Sequence, residues 1–243
     1  MLKHILMASL SLSLSLILFG GCAPARAEAS LTAQETRWLA AAGPVLAYSQ
    51  GLQLPIDIIV QPQSGPNDVP LAMGFESQRC KLVLSIRGNG EAEAIFGQGS
   101  EAERALLIEA MTAHEIGHCW RYVHGTWHVL PAGFVDAGQD NAGNVNGGNV
   151  LPLAEAKAVG ATRREEGYAD LVALAWISRT HPASYAQVYG WLESVRRAPP
   201  VAHGAHDTRA WVRLARDAGA FGPGATPFDD VDTLWRQGAM EAQ

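Results

Sequence analysis

Between residues 101 and 124, apolar positions recur at the spacing of a buried helical face. Leu107, Met111, His114 and His118 fall at i, i+4, i+7 and i+11, so two histidines continue an inward-facing apolar row. Ser100 followed by Glu103 makes a capping box, and Gly125 after His124 reads as a C-terminal stop, which predicts a helix over 101–124. Upstream, residues 32–49 suggest a helix that Gly43-Pro44 should break or bend. Residues 54–60 read as a strand, 62–70 as a turn, and 71–75 with 80–87 as a hairpin. In its second arm Cys80, Leu82, Leu84 and Ile86 alternate with Lys81, Val83, Ser85 and Arg87. Beyond a stretch rich in Gly and Asn, helical patterns return near 162–178, 183–197, 207–218 and 228–240. There Trp176, Trp191, Trp211 and Trp235 sit on apolar faces and fit core packing between helices.

The histidines of the long helix belong to His114-Glu115-Ile116-Gly117-His118. Four residues apart on a helix, they project from one face, about 6 Å apart along the axis. That spacing lets both imidazoles reach one tetrahedral zinc ion through bonds of about 2.0–2.1 Å. Glu115, one step round the helix, suits a general base better than a third ligand. Such a string also occurs on solvated helices, but here Ala113, Ile116, Gly117 and Cys119 add no further charge. Two histidines on a buried face need partners, and a shared metal supplies one for each.

A catalytic zinc with two His ligands needs a third protein ligand. Glu165 and Glu166 compete for that place. Thr162 with Glu165 reads as a second capping box, which occupies Glu165 at a helix start. Glu166 is then the expected third ligand. Asp170, four residues on and on the same face, would accept a hydrogen bond from the far nitrogen of a ligating histidine.

His-Glu-Ile-Gly-His followed by Glu166-Gly-Tyr-Ala-Asp170 resembles the gluzincin metallopeptidases. It is most similar to the family of prenyl-protein endopeptidases and bacterial heat-shock membrane metallopeptidases. The resemblance covers two helical stretches, about 100–124 and 162–178, and lacks the several transmembrane helices of the membrane-bound members. It implies an α+β domain: a small mixed or antiparallel sheet, with an edge strand beside the active-site helix, then a mainly helical C-terminal half. Residues 80–87 are the expected edge, since an unpaired edge can bind extended peptide by β-augmentation. The resemblance also implies a later histidine that stabilises an oxyanion. His206 is the candidate, with His203 and His181 competing and a plain surface histidine at a helix start as the alternative, while His124 and His128 read as surface or packing residues.

Lys3 precedes an apolar run over residues 5–19 that is too short to span a membrane and reads as a signal peptide, residues 1–21. Two processing sites compete. Phe19-Gly-Gly-Cys22 resembles a lipobox and would lipidate Cys22, although leucine would be preferred at Phe19. Ala25-Arg-Ala27 resembles an ordinary signal-peptidase site, giving a soluble periplasmic or secreted protein. The lipobox is favoured because Gly-Gly-Cys sits where the apolar run ends. A tether over 22–31 and one zincin-like domain over 32–243 would follow, in the periplasm or on the outer membrane.

Three cysteines are an awkward number for an exported chain. Lipidation of Cys22 leaves Cys80 and Cys119, which could pair in an oxidising compartment or stay as two buried thiols; pairing is favoured.

A formal charge of −6 without a Lys/Arg block argues against nucleic acid as a partner. With 48% hydrophobic and 17% charged residues, the composition is that of a globular protein. The expected activity is hydrolysis of peptide bonds in the cell envelope by a zinc-activated water, with a peptide or protein as substrate. Two alternatives stay open: a zinc-stabilised envelope binding or chaperone-like lipoprotein, and a zinc hydrolase of a non-peptide amide. The irregular stretch 125–161 could be a lid over the cleft or plain surface.

Overall fold

Three strands and a long capped helix set the frame of this computed structural model, which describes residues 30–65, 68–97, 99–130, 134, 153–197 and 204–242. The expectations for residues 1–21, Cys22, Ala27 and His203, and most of 125–161, lie outside the described residues. Every element below belongs to one unit, Leu31–Gln243.

Helix α1 spans Ala33–Gly51 and starts at Thr32, whose side chain and that of Glu35 cap each other's backbone N–H. It runs unbroken through Pro44, against the expected break. Gly43 explains part of this: the residue before a proline normally brings a Cβ into the ring's way, and glycine has none. Glu35 is fully buried and accepts from Arg87 at 2.9 Å. Burial alone would raise its carboxyl; Arg87 and Thr32 outweigh that and hold it below the usual range.

Strands β1 (Ile56–Pro62), β2 (Leu71–Glu76) and β3 (Arg79–Arg87) form one mixed sheet in the order β1-β3-β2. β3 pairs parallel with β1 and antiparallel with β2. Residues 80–87 are therefore the central strand, and their assignment as the free edge is corrected. The strand after the hairpin turn is also the one that receives β1, so both its edges are used. The edge beside the long helix belongs to β2, whose Phe75 stacks on Tyr122 of that helix at 4.2 Å. The β2–β3 turn is Ser77-Gln78, with φ of 51° and 62°, the two positive angles a two-residue I′ hairpin requires.

A short helix, α2 (Gly90–Phe96), follows, capped by the Asn89 side chain on the N–H groups of Glu91 and Ala92. α3 spans Glu101–Val123 with the expected Ser100–Glu103 capping box, and Gly125 beyond it has φ of 66°. Leu71, Leu82, Leu84 and Ile86 of the sheet pack with Trp38 of α1, Ala92 of α2 and Ile108 of α3 in one apolar cluster. The Cys80–Cys119 disulfide joins β3 to α3 with a Cα–Cα distance of 5.7 Å, both cysteines fully buried.

α4 spans Leu153–Thr180, starting nine residues before the expected position. Its first turns, Leu-Ala-Glu-Ala-Lys-Ala, are strong helix formers that the preceding Gly/Asn-rich run obscures. Thr162 is thus inside the helix, its hydroxyl donating back to the Ala158 carbonyl at 3.1 Å, and the second capping box does not exist.

Around α4 lie α5 (Tyr185–Arg197), α6 (Arg209–Leu214), α7 (Pro227–Asp230) and α8 (Asp232–Glu241), in place of the longer runs expected at 207–218 and 228–240. The C-terminal half is accordingly mainly helical. Trp176, Trp211 and Trp235 are buried and Trp191 partly buried. Trp211 donates to the Trp235 carbonyl and Trp235 to the Arg164 carbonyl, both at 2.9 Å, so each indole N–H keeps a partner. No helix among the described residues is long and apolar enough to cross a membrane.

Two of the closely packed glycines lie where α4 meets α3 and α6. A Cβ on Gly117 would stand 3.2 Å from the Ala169 Cα, and one on Gly167 would stand 2.4 Å from the Trp211 ring. Gly167→Ala should therefore overpack the α4–α6 contact and destabilise by about 1–3 kcal/mol in chemical denaturation. Replacing Cys80 and Cys119 together by alanine should cost about 2–4 kcal/mol, and reductant should destabilise the wild type but not that double variant.

Candidate metal centre

Two helices build this site. His114 and His118 come from α3, one turn apart, and Glu166 comes from α4, brought alongside where Gly117 lies against Ala169. The two Nε2 atoms are 3.2 Å apart. Glu166 Oε2 lies 3.5 Å from His114 Nε2, and Oε1 lies 3.4 Å from His118 Nε2. One donor atom from each of the three residues falls within 4.8 Å of the others, in a largely buried position.

Asp170, one turn along α4 from Glu166, is fully buried and wholly partnered. Its Oδ1 takes His114 Nδ1 at 2.9 Å and Arg196 Nη2 at 2.8 Å. Its Oδ2 takes Arg196 Nε at 2.9 Å and the Thr208 hydroxyl at 2.5 Å. A carboxylate without water survives only with such a set of donors. The contact with Nδ1 holds a proton there, so Nε2 is the atom that His114 presents to the cluster.

Arg196, at the end of α5, also reaches Glu166 at 3.5 Å. His206 Nδ1 lies 3.2 Å from Glu166 Oε2, and its side chain is 59% exposed, the most open of these groups. His181 sits elsewhere, on the buried Glu109 at 3.0 Å. His124 and His128 are exposed.

The charges here are strongly coupled. Burial opposes a charged His114, but Asp170 and Glu166 prevail and lift it to about 10. Burial would raise Glu166, yet hydrogen bonds from His114, His118 and His206 drive it well below the carboxylate range. Asp170 is held low in the same way, against burial, by Arg196 and His114. Glu115 moves the other way. Burial raises its carboxyl, with the histidines and Arg196 opposing and Glu166 assisting.

The donor set fits a divalent metal. Two imidazole nitrogens and one carboxylate converge, and the second nitrogen of His114 is anchored. Arg196 and Thr208 escaped the sequence reading because nothing in their spacing ties them to the motif. Arg196 was visible only as a basic residue in a helix's last turn. Glu165, expected at a helix cap, instead pairs with Arg121 of α3 at 2.5 and 3.0 Å.

Zinc titration against a chromophoric chelator checks this arrangement. Wild type should bind one ion, Asp170→Asn should weaken binding about 10–100-fold, and Glu166→Ala should weaken it further. Comparison with protein-family models, curated proteins and solved structures finds no match for this chain.

Proposed function

We propose that this protein is a zinc-dependent metallopeptidase of the bacterial cell envelope, of the gluzincin type that its two motifs resemble. The observation that carries the reading is the convergence of His114, His118 and Glu166, with Asp170 behind His114 and Glu115 one residue along the same helix. Zinc bound there would polarise a substrate carbonyl and acidify a water.

The chain's own groups do the rest. His114 and His118 offer imidazole nitrogens from which a binding metal would displace the proton, and Glu166 a carboxylate held ionised by the histidines that face it. Asp170 holds His114 in one tautomer, and Arg196 with Thr208 holds Asp170. Glu115 takes the proton of the attacking water and returns it to the leaving nitrogen. Its raised carboxyl suits that task, since a base works best with a pKa drawn towards the working pH. His206, at the open side of the cluster, serves as a donor to the charge developing on the carbonyl oxygen. The free edge of β2, beside α3, takes the substrate-aligning part first given to residues 80–87.

Residues 5–19 and Cys22 support export and a lipid anchor, with Ala27 as the alternative cleavage point. An envelope protein or peptide is then the substrate. Glu115 beside the cluster favours hydrolysis over a purely structural zinc, which has no use for a base.

The deciding variant is Glu115→Gln. It should keep wild-type zinc and lose at least about 100-fold in cleavage of an unfolded protein substrate, read by fragment release on a gel. Cleavage near the wild-type rate would remove Glu115 as the base. A wild type that is folded and zinc-loaded but cleaves no peptide bond would favour the binding protein or the non-peptide amidase.

A further inference from the structure

The two histidines are not held alike. His114 has its Nδ1 on Asp170 at 2.9 Å, whereas His118 Nδ1 is buried with no hydrogen-bond partner among the described residues. A ligating imidazole ordinarily donates its second N–H to an acceptor that sets its orientation. Something else must orient His118. Besides the other histidine of the cluster, the ring against it is Trp127, edge-to-face, with centroids 5.5 Å apart and planes at 78°.

Trp127 lies just beyond α3, in a turn that is held with unusual care. Arg121 Nη2 donates to the carbonyls of Thr126 at 2.7 Å and Val129 at 3.2 Å, on either side of Trp127. Glu165, buried and paired with Arg121, accepts the backbone N–H of His128 at 2.8 Å. His128 has φ of 60°, a left-handed backbone that costs a non-glycine residue free energy and persists only where its surroundings enforce it. From the sheet side, Phe75 of β2 packs edge-on against the same indole at 4.9 Å. A buried ion pair, a strained residue and an aromatic contact thus converge on one indole, and that indole rests on His118.

Resting on the metal-site reading above, we infer that Trp127 is the positioning residue of His118, and that Arg121 and Glu165 are the latch that keeps it there. Packing does for His118 what Asp170 does for His114. The indole, packed edge-to-face with the imidazole, blocks its rotation and keeps Nε2 directed at the cluster without offering an acceptor. The latch also gives Glu165 its purpose. It stands next to Glu166 on α4, so the helix that supplies the third donor simultaneously pins the turn that steadies the second.

The test uses the mature chain as wild type, Trp127→Phe, Trp127→Ala and Glu165→Gln. Two readouts are taken: zinc Kd by chelator competition, and the His118 ring signals in long-range 1H–15N spectra of the zinc-free protein. Trp127→Ala should weaken zinc about 10–100-fold and turn a single ring environment into averaged signals. Trp127→Phe, which keeps a flat ring, should recover most of both, and Glu165→Gln should fall between. A loss of thermal stability without change in either readout would make Trp127 a packing residue and overturn the inference. So would equal losses in Trp127→Phe and Trp127→Ala. If wild type binds no zinc yet shows a fixed His118 ring that Trp127→Ala releases, the metal reading fails and the positioning role stands.

Discussion

The distance at which α3 can lie on α4 governs the rest of this structure. Donors from two helices can share one ion only if the helices nearly touch, and here they do, with Gly117 against the Ala169 backbone. Ala169 and Val172, both buried, line this contact and keep water from the base of the site. A Cβ at 117 would stand 3.2 Å from the Ala169 Cα and press on this contact. The middle glycine of the motif therefore works through packing, while its flanking histidines work through chemistry. Cys119, two residues on, extends the same constraint to the sheet through its bridge to Cys80.

Electrostatics then depends on that packing. Bringing α4 against α3 buries Asp170, and a buried carboxylate must be neutralised or fully bonded. Arg196 and Thr208 supply the bonds, which draws α5 and the start of α6 onto the site. The helical C-terminal half is thus more than a scaffold, because its side chains complete the surroundings of a motif more than 70 residues upstream of them. The Arg121–Glu165 pair runs parallel to this network. Its guanidinium also lies over Trp235 at 4.1 Å and Tyr168 at 5.0 Å, so the charge is enclosed by aromatic faces as well as by its partner.

Local signals read well wherever a residue's role is settled within one or two turns of chain. The Ser100–Glu103 cap, the alternation of residues 80–87 and the i, i+4 histidines are all of that kind, and each survives in the structure, except that Ser85 is buried as well. Reading Glu166 over Glu165 led to the residue that joins the cluster, but for a reason the structure removes. No cap exists at Thr162, and Glu165 is withheld from the site by Arg121. α4 begins well before 162 because a run of helix formers follows directly on a run of glycines and asparagines. Pro44 does not end α1, and the glycine before it removes the Cβ share of the clash.

What the sequence by itself determined is the chemistry on offer: two histidines and a glutamate on one helix, a Glu-x-x-x-Asp on another, two cysteines able to pair, and helices with core-facing tryptophans. Those follow from covalent order and the fixed pitch of a helix, which reach only a few residues. Tertiary structure decided which strand is an edge, which arginine anchors Asp170, and which aromatic ring leans on His118. Each of those is a contact between segments far apart in the chain, set by how layers pack and by which buried charge must find a partner. No local spacing encodes such a choice.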